Sequence, residues 1–211
     1  MPQPKKTQAQ DPAPDDEPEP LFFYMPNAAW GELCQWYPCT FTVSKSQIST
    51  LTAYAVNEND SNDDDNGDVT FNCAEQFMMY CKAARFHDRN TQRRVLASDS
   101  PKEQKQLGKQ TVGFYDASWD EIKSAVVVAG NVAKFGQNPK LGRKLLATGD
   151  RLLVEAASHD RVWGIGYTEK HALSHRKHWG ENRLGKALMV VRAQLRGEHS
   201  IGTSTDLRPS Q

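Results

Sequence analysis

The sequence has no apolar run approaching the length of a membrane-spanning helix, which takes about 20 residues. Its first residues are polar and rich in proline, without the hydrophobic segment of a secretory signal peptide. Four cysteines in 211 residues are too few for a disulfide scaffold. These absences disfavour membrane-spanning and disulfide-rich secreted proteins. We expect a soluble intracellular protein, cytoplasmic or nuclear, with reduced thiols and no membrane partner.

The common metal-binding motifs are also missing. Residues 57–68 resemble a calcium loop, but in that alignment Cys73 stands where a bidentate Glu is required. Three histidines lie close together in a polar, basic segment without HExxH or paired cysteines. They are His171, His175 and His178. The sequence therefore predicts no metal site.

Nucleotide-binding fingerprints are incomplete as well. Gly164 and Gly166 begin a G-x-G-x-x-G pattern, but Glu169 occupies the place of the third glycine. Residues 108–111, GKQT, lack both the upstream glycine and the adjacent Ser or Thr of a P-loop. We predict that the protein uses no cofactor.

Charge is balanced overall, with 26 basic and 26 acidic side chains, but it is distributed unevenly. Residues 1–75 carry 3 basic and 13 acidic side chains, whereas residues 76–211 carry 23 and 13. A basic body suits a polyanionic ligand such as a pyrophosphate or a nucleic acid. Much of the acidic charge lies in segments that we expect to be disordered.

Length and a hydrophobic content of 38% fit one domain with a substantial core. Residues 1–20 are polar and proline-rich, and we expect a disordered tail there. We expect a solvated acidic insert at residues 57–68 and a flexible tail at residues 197–211, which leaves 21–196 as the domain. A monomer is the default expectation.

Patterns of hydrophobicity and capping predict the other elements. The predicted strands are 21–24, 40–43 and 151–156. Ser100, with Pro101 and Glu103, reads as a capping box that starts a helix to about Gly108. Further helices are predicted at 91–97, at 119–135 with Asp120 and Glu121 in its first turn, at 138–149, and at 182–196 after Asn182 as N-cap.

Residues 72–88, NCAEQFMMYCKAARFHD, predict a helix that is apolar nearly all round and therefore packed on several sides. At 100° per residue, Glu75, Met79, Lys82 and Phe86 share one narrow stripe. A carboxylate and an ammonium thus lie on a face that we expect to be buried.

These two charges have structural and functional interpretations. Glu75 can stabilise the helix start in a near capping box with Asn72, and Lys82 can extend its ammonium to the surface. Alternatively, a desolvated lysine has a lowered pKa and offers a nucleophilic amine, while a shielded carboxyl can move protons. Tryptophan rings can stack on a base or flank a ribose. Trp119 and Trp163 are candidates, and such groups suit N-glycosidic cleavage.

The sequence resembles the NADAR superfamily, also called the YbiA-like family, over residues 21–196. The motifs that carry this resemblance occur in order along the chain. They are AEQFMMYCKAARF (74–86), Trp119, KFGQN (134–138), LLATGDRLLVEA (145–156), DRVWGIG (160–166) and WGENRLGKALMVVR (179–192).

The resemblance implies a compact, predominantly helical α+β single domain with a few short strands, which hydrolyses N-glycosidic bonds. One group of the family acts on phosphorylated intermediates of riboflavin biosynthesis, and the other removes ADP-ribose from modified guanine. In the second group, the lysine that matches Lys82 forms a Schiff base with the opened ribose, and the glutamate that matches Glu75 transfers protons.

The substrate-binding residues implied by the resemblance include four positions associated with the ligand pocket. We add Trp36, in a segment similar to the family's Gly-x-Leu-Ser-Gln-aromatic loop, and two glycines that allow close backbone approach. The set is Trp36, Trp119, Asp160, Trp163, Gly164, Gly166 and Asn182.

Two positions depart from the family pattern. Cys34 stands where serine is usual, and His87 stands where glycine is common. The leading hypothesis remains a metal-independent glycosidase acting on ADP-ribosylated guanine in DNA, RNA or nucleotide, with ADP-ribose as product. The alternatives are a glycosidase for riboflavin intermediates and a non-catalytic ADP-ribose-binding module.

Overall fold

A computed structural model describes residues 18–53 and 67–202, and describes side chains up to residue 197. Most of the predicted tail 1–20, most of the acidic insert 57–68, and residues 203–211 therefore lie outside the described residues. Within the described ranges, no helix combines the length and apolarity needed to cross a membrane.

The described part of the chain is mainly helical, with short strands, which confirms the predicted α+β class. Its strands are β1 (Leu21–Phe23), β2 (Phe41–Ser44), β3 (Asp68–Phe71) and β4 (Leu153–Glu155). Its α-helices are α1 (Lys45–Thr52), α2 (Ala74–Arg85), α3 (Arg89–Ala97), α4 (Pro101–Lys109), α5 (Asp116–Gln137), α6 (Pro139–Leu146), α7 (Glu169–Ala172) and α8 (Arg183–Gly202). Two 3₁₀ segments cover Gly31–Leu33 and Leu173–His178.

The strands form two separate pairs. β1 runs parallel to β4, with Phe23 opposite Glu155 at the end of the pair. β2 runs antiparallel to β3, with Phe41 opposite Phe71. In β3 the burial alternates with period two, because Val69 and Phe71 face the core while their neighbours face solvent. The parallel pair is the one that contributes a residue to the candidate site.

Helix α2 is the centre of the core, and every residue from Ala74 to Ala84 is buried. It packs against α1, α3, α4, α5 and β3. Gly130 of α5 allows close approach, since a Cβ there would lie 2.5 Å from the ring of Phe77. The prediction of a helix packed on several sides is therefore confirmed.

Helix α5 begins at Asp116, so the prediction that Asp120 and Glu121 occupy its first turn is wrong. Asp120 instead accepts a hydrogen bond from Arg183 at 2.9 Å and joins α5 to α8. Arg85 of α2 approaches Glu121 at 3.5 Å. These acidic residues connect helices rather than complementing a helix dipole.

Several elements were not predicted. Helix α1 has a capping box in which the Ser44 side chain accepts from the Gln47 amide, a Ser-x-x-Gln signal that the sequence analysis missed. The histidine-bearing segment forms α7 and a 3₁₀ turn instead of a loop. Helix α8 continues to Gly202, six residues into the segment that was predicted to be a flexible tail.

Candidate functional site

A cavity of about 480 Å³ opens beside helix α2, a size that suits a small-molecule ligand. Its walls come from the loop after β1, from helices α2, α4, α5 and α8, from the end of β4 and from the following loop. The lining residues are Tyr24, Met25, Cys34, Gln35, Trp36, Glu75, Met78, Met79, Lys82, Lys105, Lys109, Trp119, Glu155, Ala157, His159, Asp160, Trp163 and Leu184.

The cavity brings together most of the predicted site residues. Both residues that were predicted to be catalytic, Glu75 and Lys82, line it. The seven predicted substrate-binding positions lie between residues 36 and 182, and four of them line the cavity. They are Trp36, Trp119, Asp160 and Trp163.

Glu75 lies in the first turn of α2 with 5% of its surface exposed. The helix is capped by Cys73 rather than Asn72, and the side chain that accepts the Asn72 amide belongs to Gln76, at 2.8 Å. The predicted capping role of Glu75 is therefore wrong. Its carboxyl is left to face the cavity.

Burial raises the pKa of Glu75 to about 7. The charge of Lys105 and a hydrogen bond from the Trp36 side chain act in the opposite direction, and the charge of Asp160 adds to the increase. A carboxyl with a pKa near neutrality can both accept and donate protons at physiological pH.

Lys82 lies two turns further along α2, and 9% of its surface is exposed. Its ammonium is 3.9 Å from the centroid of the Phe114 ring rather than extended into solvent. Burial lowers the pKa of Lys82, the positive charge of Lys109 lowers it further, and Asp116 opposes the decrease. The lowered pKa increases the fraction of Lys82 in the uncharged amine form, which is the nucleophilic form.

Asp160 shapes the loop that carries Trp163. Its Oδ1 accepts hydrogen bonds from the backbone amides of Val162 at 2.9 Å and of Trp163 at 2.7 Å. These bonds fix the turn locally and hold the indole at the cavity wall. The same carboxylate raises the pKa of both Glu75 and Glu155.

Gly164 and Gly166 do not line the cavity, although they lie next to it in sequence. A Cβ on Gly164 would lie 2.8 Å from the carbonyl oxygen of Glu155, so the loop packs tightly on the end of β4. Gly166 has φ +77°, a conformation that other residues rarely adopt. In this structure both glycines shape the loop rather than approach the cavity.

Asn182 also lies outside the cavity. Its Oδ1 accepts from the Glu155 amide at 3.0 Å, and its Nδ2 donates to the Leu153 carbonyl at 2.8 Å. Its side chain therefore holds strand β4 and is not available to cap α8, which corrects the predicted N-cap. The residue acts on the cavity wall through the backbone of β4.

Sequence reasoning missed Glu155, which enters the cavity wall from the end of β4. Burial raises its pKa to about 8, the charges of Asp160 and Glu75 contribute to the increase, and Lys105 opposes it. Its Oε2 is buried and has no hydrogen-bond partner among the described residues. The available signal was an acidic residue that closes the apolar run LLVEA.

Helix α5 supports the loop that carries Trp36, and this support was also missed. Lys134 is fully buried, and its ammonium donates to the carbonyl oxygen of Cys34 at 2.8 Å. Asn131 donates to the side chain of Gln35 at 2.9 Å. The first interaction holds the backbone, and the second holds a side chain, immediately before Trp36.

Cys34 lies in the cavity wall. Its sulfur accepts a weak hydrogen bond from the Trp36 amide at 3.4 Å. Burial raises the pKa of this thiol to about 11, so it remains protonated and unreactive at neutral pH. The cysteine therefore takes part in the local turn, and we assign it no chemical step.

The cavity thus combines an amine, carboxyls of different acidity and indole rings. Lys105 and Lys109, which were not predicted, add exposed positive charge one helical turn apart on α4. Among the described residues, no three His, Cys, Asp or Glu side chains come together in a way that could hold a metal ion.

Fold and site together define an α+β protein with a small-molecule-sized cavity beside a buried central helix. The chain belongs to the NADAR domain family, whose domain matches residues 22–196. This confirms the resemblance noted from the sequence motifs.

Several proteins with assigned names are similar to this chain. An N-glycosidase, R617, of Acanthamoeba polyphaga mimivirus is 39% identical over 123 residues, which cover 57% of this chain and 72% of that protein. N-glycosidase YbiA of Escherichia coli K12 is 33% identical over 55% of this chain and 67% of its own length. Riboflavin biosynthesis protein VVA0006 of Vibrio vulnificus is 30% identical over 86% of this chain, but only 40% of that protein is covered.

The NMR structure of E. coli YbiA has a similar fold. The TM-score is 0.62 at 23% sequence identity, and the match covers 87% of this chain and 89% of that one. This similarity supports the fold alone.

Proposed function

We propose that the protein is an N-glycosidase that removes ADP-ribose from modified guanine through an imine on Lys82. The observation that carries this proposal is the placement of Lys82 and Glu75, two turns apart on one buried helix, in the same cavity. The names of the similar N-glycosidases support the bond type.

The proposed reaction begins when the Lys82 amine attacks the anomeric carbon. The bond from that carbon to the base nitrogen breaks, its electron pair goes to nitrogen, and a cavity carboxyl supplies the proton. Glu75 then takes a proton from the attached amine and returns it to the ring oxygen as the ribose opens. This leaves a C=N bond to Lys82.

Water completes the cycle by adding to the imine carbon while Glu75 accepts its proton. Collapse of this adduct releases the Lys82 amine and the sugar aldehyde, which closes again to ADP-ribose. The proton held by Glu75 passes back to the carboxyl that protonated the base. The net reaction consumes one water and yields ADP-ribose and guanine.

The substrate class is inferred from the chemistry of the walls. Besides the nucleophile Lys82, two exposed lysines of α4 line the cavity and complement a pyrophosphate, and they are Lys105 and Lys109. Three indoles offer stacking surfaces for bases, and they are Trp36, Trp119 and Trp163. A substrate that carries two bases and a pyrophosphate can contact both the indoles and the lysines.

A second candidate substrate is a phosphorylated intermediate of riboflavin biosynthesis. The observation that favours it is the 30% identity to the Vibrio riboflavin biosynthesis protein over 86% of this chain. Lys105 and Lys109 would bind its single phosphate. The Lys82 amine and the Glu75 carboxyl would act on its N-glycosidic bond.

The test is to incubate the protein with ADP-ribosylated guanosine and, separately, with a phosphorylated aminopyrimidine riboside, each with and without borohydride. We expect release of ADP-ribose from the first, and a reduced adduct located on Lys82 by mass spectrometry. Lys82→Arg keeps the charge but should form no adduct. Lys186→Ala, on an exposed part of α8 outside the cavity, should behave as wild type.

Three outcomes would contradict the leading proposal in whole or in part. Turnover of the aminopyrimidine riboside alone would favour the second candidate. Binding of ADP-ribose without turnover of either substrate would favour a non-catalytic module. Full activity in Lys82→Arg would exclude the imine mechanism even if the glycosidase activity stands.

A further inference from the structure

The backbone of Glu155 is fixed from three sides. It is the last residue of β4 and lies opposite Phe23 of β1. Its amide donates to Asn182 Oδ1 at 3.0 Å, and its carbonyl accepts from the Ile165 amide at 3.0 Å. The side chain therefore enters the cavity wall from a rigid position, which is the arrangement expected for a group with a defined chemical task.

The carboxyl group of Glu155 is short of hydrogen-bond donors. Its Oε2 is buried without a partner among the described residues, whereas Glu75 receives a hydrogen bond from Trp36. Burying a charged oxygen without a donor is unfavourable, so the environment favours the protonated acid. The pKa of Glu155 is raised to about 8, which also favours the protonated acid.

The three carboxyls of the cavity are not equivalent. Oδ1 of Asp160 is already occupied by two backbone amides, and Glu75 has an indole donor that favours its anion. Glu155, whose Oε2 has no donor among the described residues, is the carboxyl whose surroundings most favour the protonated acid. When neighbouring carboxyls lie in different environments, their pKa values differ. The group with the higher pKa then serves as the acid, and the group with the lower pKa serves as the base.

We propose that Glu155 is the general acid that protonates the departing base nitrogen, a role that rests on the proposed N-glycosidase function. As the anomeric C–N bond breaks, its electron pair goes to nitrogen and the Glu155 proton follows. Glu155 is left as a carboxylate. It recovers its proton from Glu75 after water has added to the imine, so that protons balance over one turnover.

The test compares two substrates with different leaving groups. ADP-ribosylated guanosine needs a proton on its leaving nitrogen, whereas an ADP-ribosyl 4-nitrophenyl conjugate does not. We expect Glu155→Gln to lower kcat by about 10²- to 10⁴-fold on the first substrate and by only a few fold on the second. Glu155→Asp, which keeps an acid, should be more active than Glu155→Gln on the first substrate.

Glu169→Gln is the matched control, because Glu169 is an exposed carboxyl outside the cavity. It should match wild type on both substrates. The affinity of each variant for ADP-ribose, measured by calorimetry, should stay within a few fold of wild type. A large loss of that affinity would mean that Glu155 shapes the site and would overturn the proposal.

Equal losses on both substrates, or no loss on either, would also overturn the assignment of Glu155 while leaving the glycosidase activity standing. The activity of the wild-type protein distinguishes failure of the proposed function from failure of the role of Glu155. If wild type released ADP-ribose from neither substrate, the glycosidase proposal and the role of Glu155 would fall together.

Discussion

Asn182 and Glu155 are joined by a hydrogen bond of 3.0 Å from the Glu155 amide to Asn182 Oδ1. The other end of the same side chain donates to the Leu153 carbonyl at 2.8 Å. Asn182 is 6% exposed and has φ +52°, a left-handed conformation that Asn tolerates better than most residues. One side chain thus links the start of α8 to the strand end that forms part of the cavity wall.

This relationship predicts that Asn182→Ala lowers the free energy of unfolding by about 2–4 kcal/mol. The change leaves two backbone groups without their partner and places Ala in the left-handed region. Asn182→Gly loses the same hydrogen bonds without the strain, so it should be about 1 kcal/mol more stable than the Ala variant. Urea denaturation measures both, and two variants as stable as wild type would contradict the bracing role.

Glu75 predicts a dependence of stability on pH. Burial raises its pKa from 4.5 to about 7, so the folded state binds this proton more tightly than the unfolded state does. Its contribution to the free energy of unfolding is therefore complete below about pH 4.5 and is lost as the pH rises through about 7.

Glu75→Gln cannot ionise, and it should be more stable than wild type at pH 9 by up to about 3 kcal/mol. The difference should shrink toward zero near pH 4.5. Urea denaturation at both pH values measures it, and the exposed Glu169→Gln should show no such change. A variant that is less stable than wild type at pH 9 would contradict the prediction, since the cost of the buried carboxylate would then be absent.

The sequence predicted helix α2 and its two buried charges well, because a 3.6-residue period is a property of local sequence. The grouping of Glu75 and Lys82 with Trp119, Asp160 and Trp163 came from family motifs rather than from periodicity. Glu155 was missed because the pattern of so short a strand does not indicate that the side chain of its last residue lines a cavity. The roles of Asn182 and Lys134 depend on contacts with carbonyls 29 and 100 residues away, which no local signal encodes.

The Asp160 side chain accepts two loop hydrogen bonds and also places a negative charge beside Glu75 and Glu155. Asp160→Asn separates these two roles. Asn retains an oxygen that can accept the Val162 and Trp163 amides, so the loop and the melting temperature should be nearly unchanged. Loss of the negative charge should lower the pKa of both Glu75 and Glu155, because that charge raises them in the wild type.

The measurement is kcat/KM against pH on ADP-ribosylated guanosine. Both limbs of the profile should move to lower pH in Asp160→Asn. Asp160→Ala, which loses the acceptor as well, should in addition be less stable. An Asn variant whose profile moves to higher pH would contradict the electrostatic role that we assign to Asp160.

Lys105 and Lys109 predict how the cavity recognises a pyrophosphate. The two side chains lie one turn apart on α4 and are exposed at the cavity, so they can contact a charged group without a large desolvation cost. The double variant Lys105→Ala/Lys109→Ala should raise KM for ADP-ribosylated guanosine by about tenfold, because hydrogen bonds to charged groups contribute about 1.5–3 kcal/mol before solvent screening.

Ribosylated guanosine without the ADP moiety is the matched substrate, and its KM should change little in the double variant. Lys102→Ala, an exposed lysine of the same helix that does not line the cavity, controls for the net charge of α4. Raising the ionic strength should weaken binding of the charged substrate to wild type more than to the double variant, since screening acts on exposed charges. Equal effects on both substrates would instead mean that the lysines support the fold of the cavity wall, and the pyrophosphate would have to be bound elsewhere.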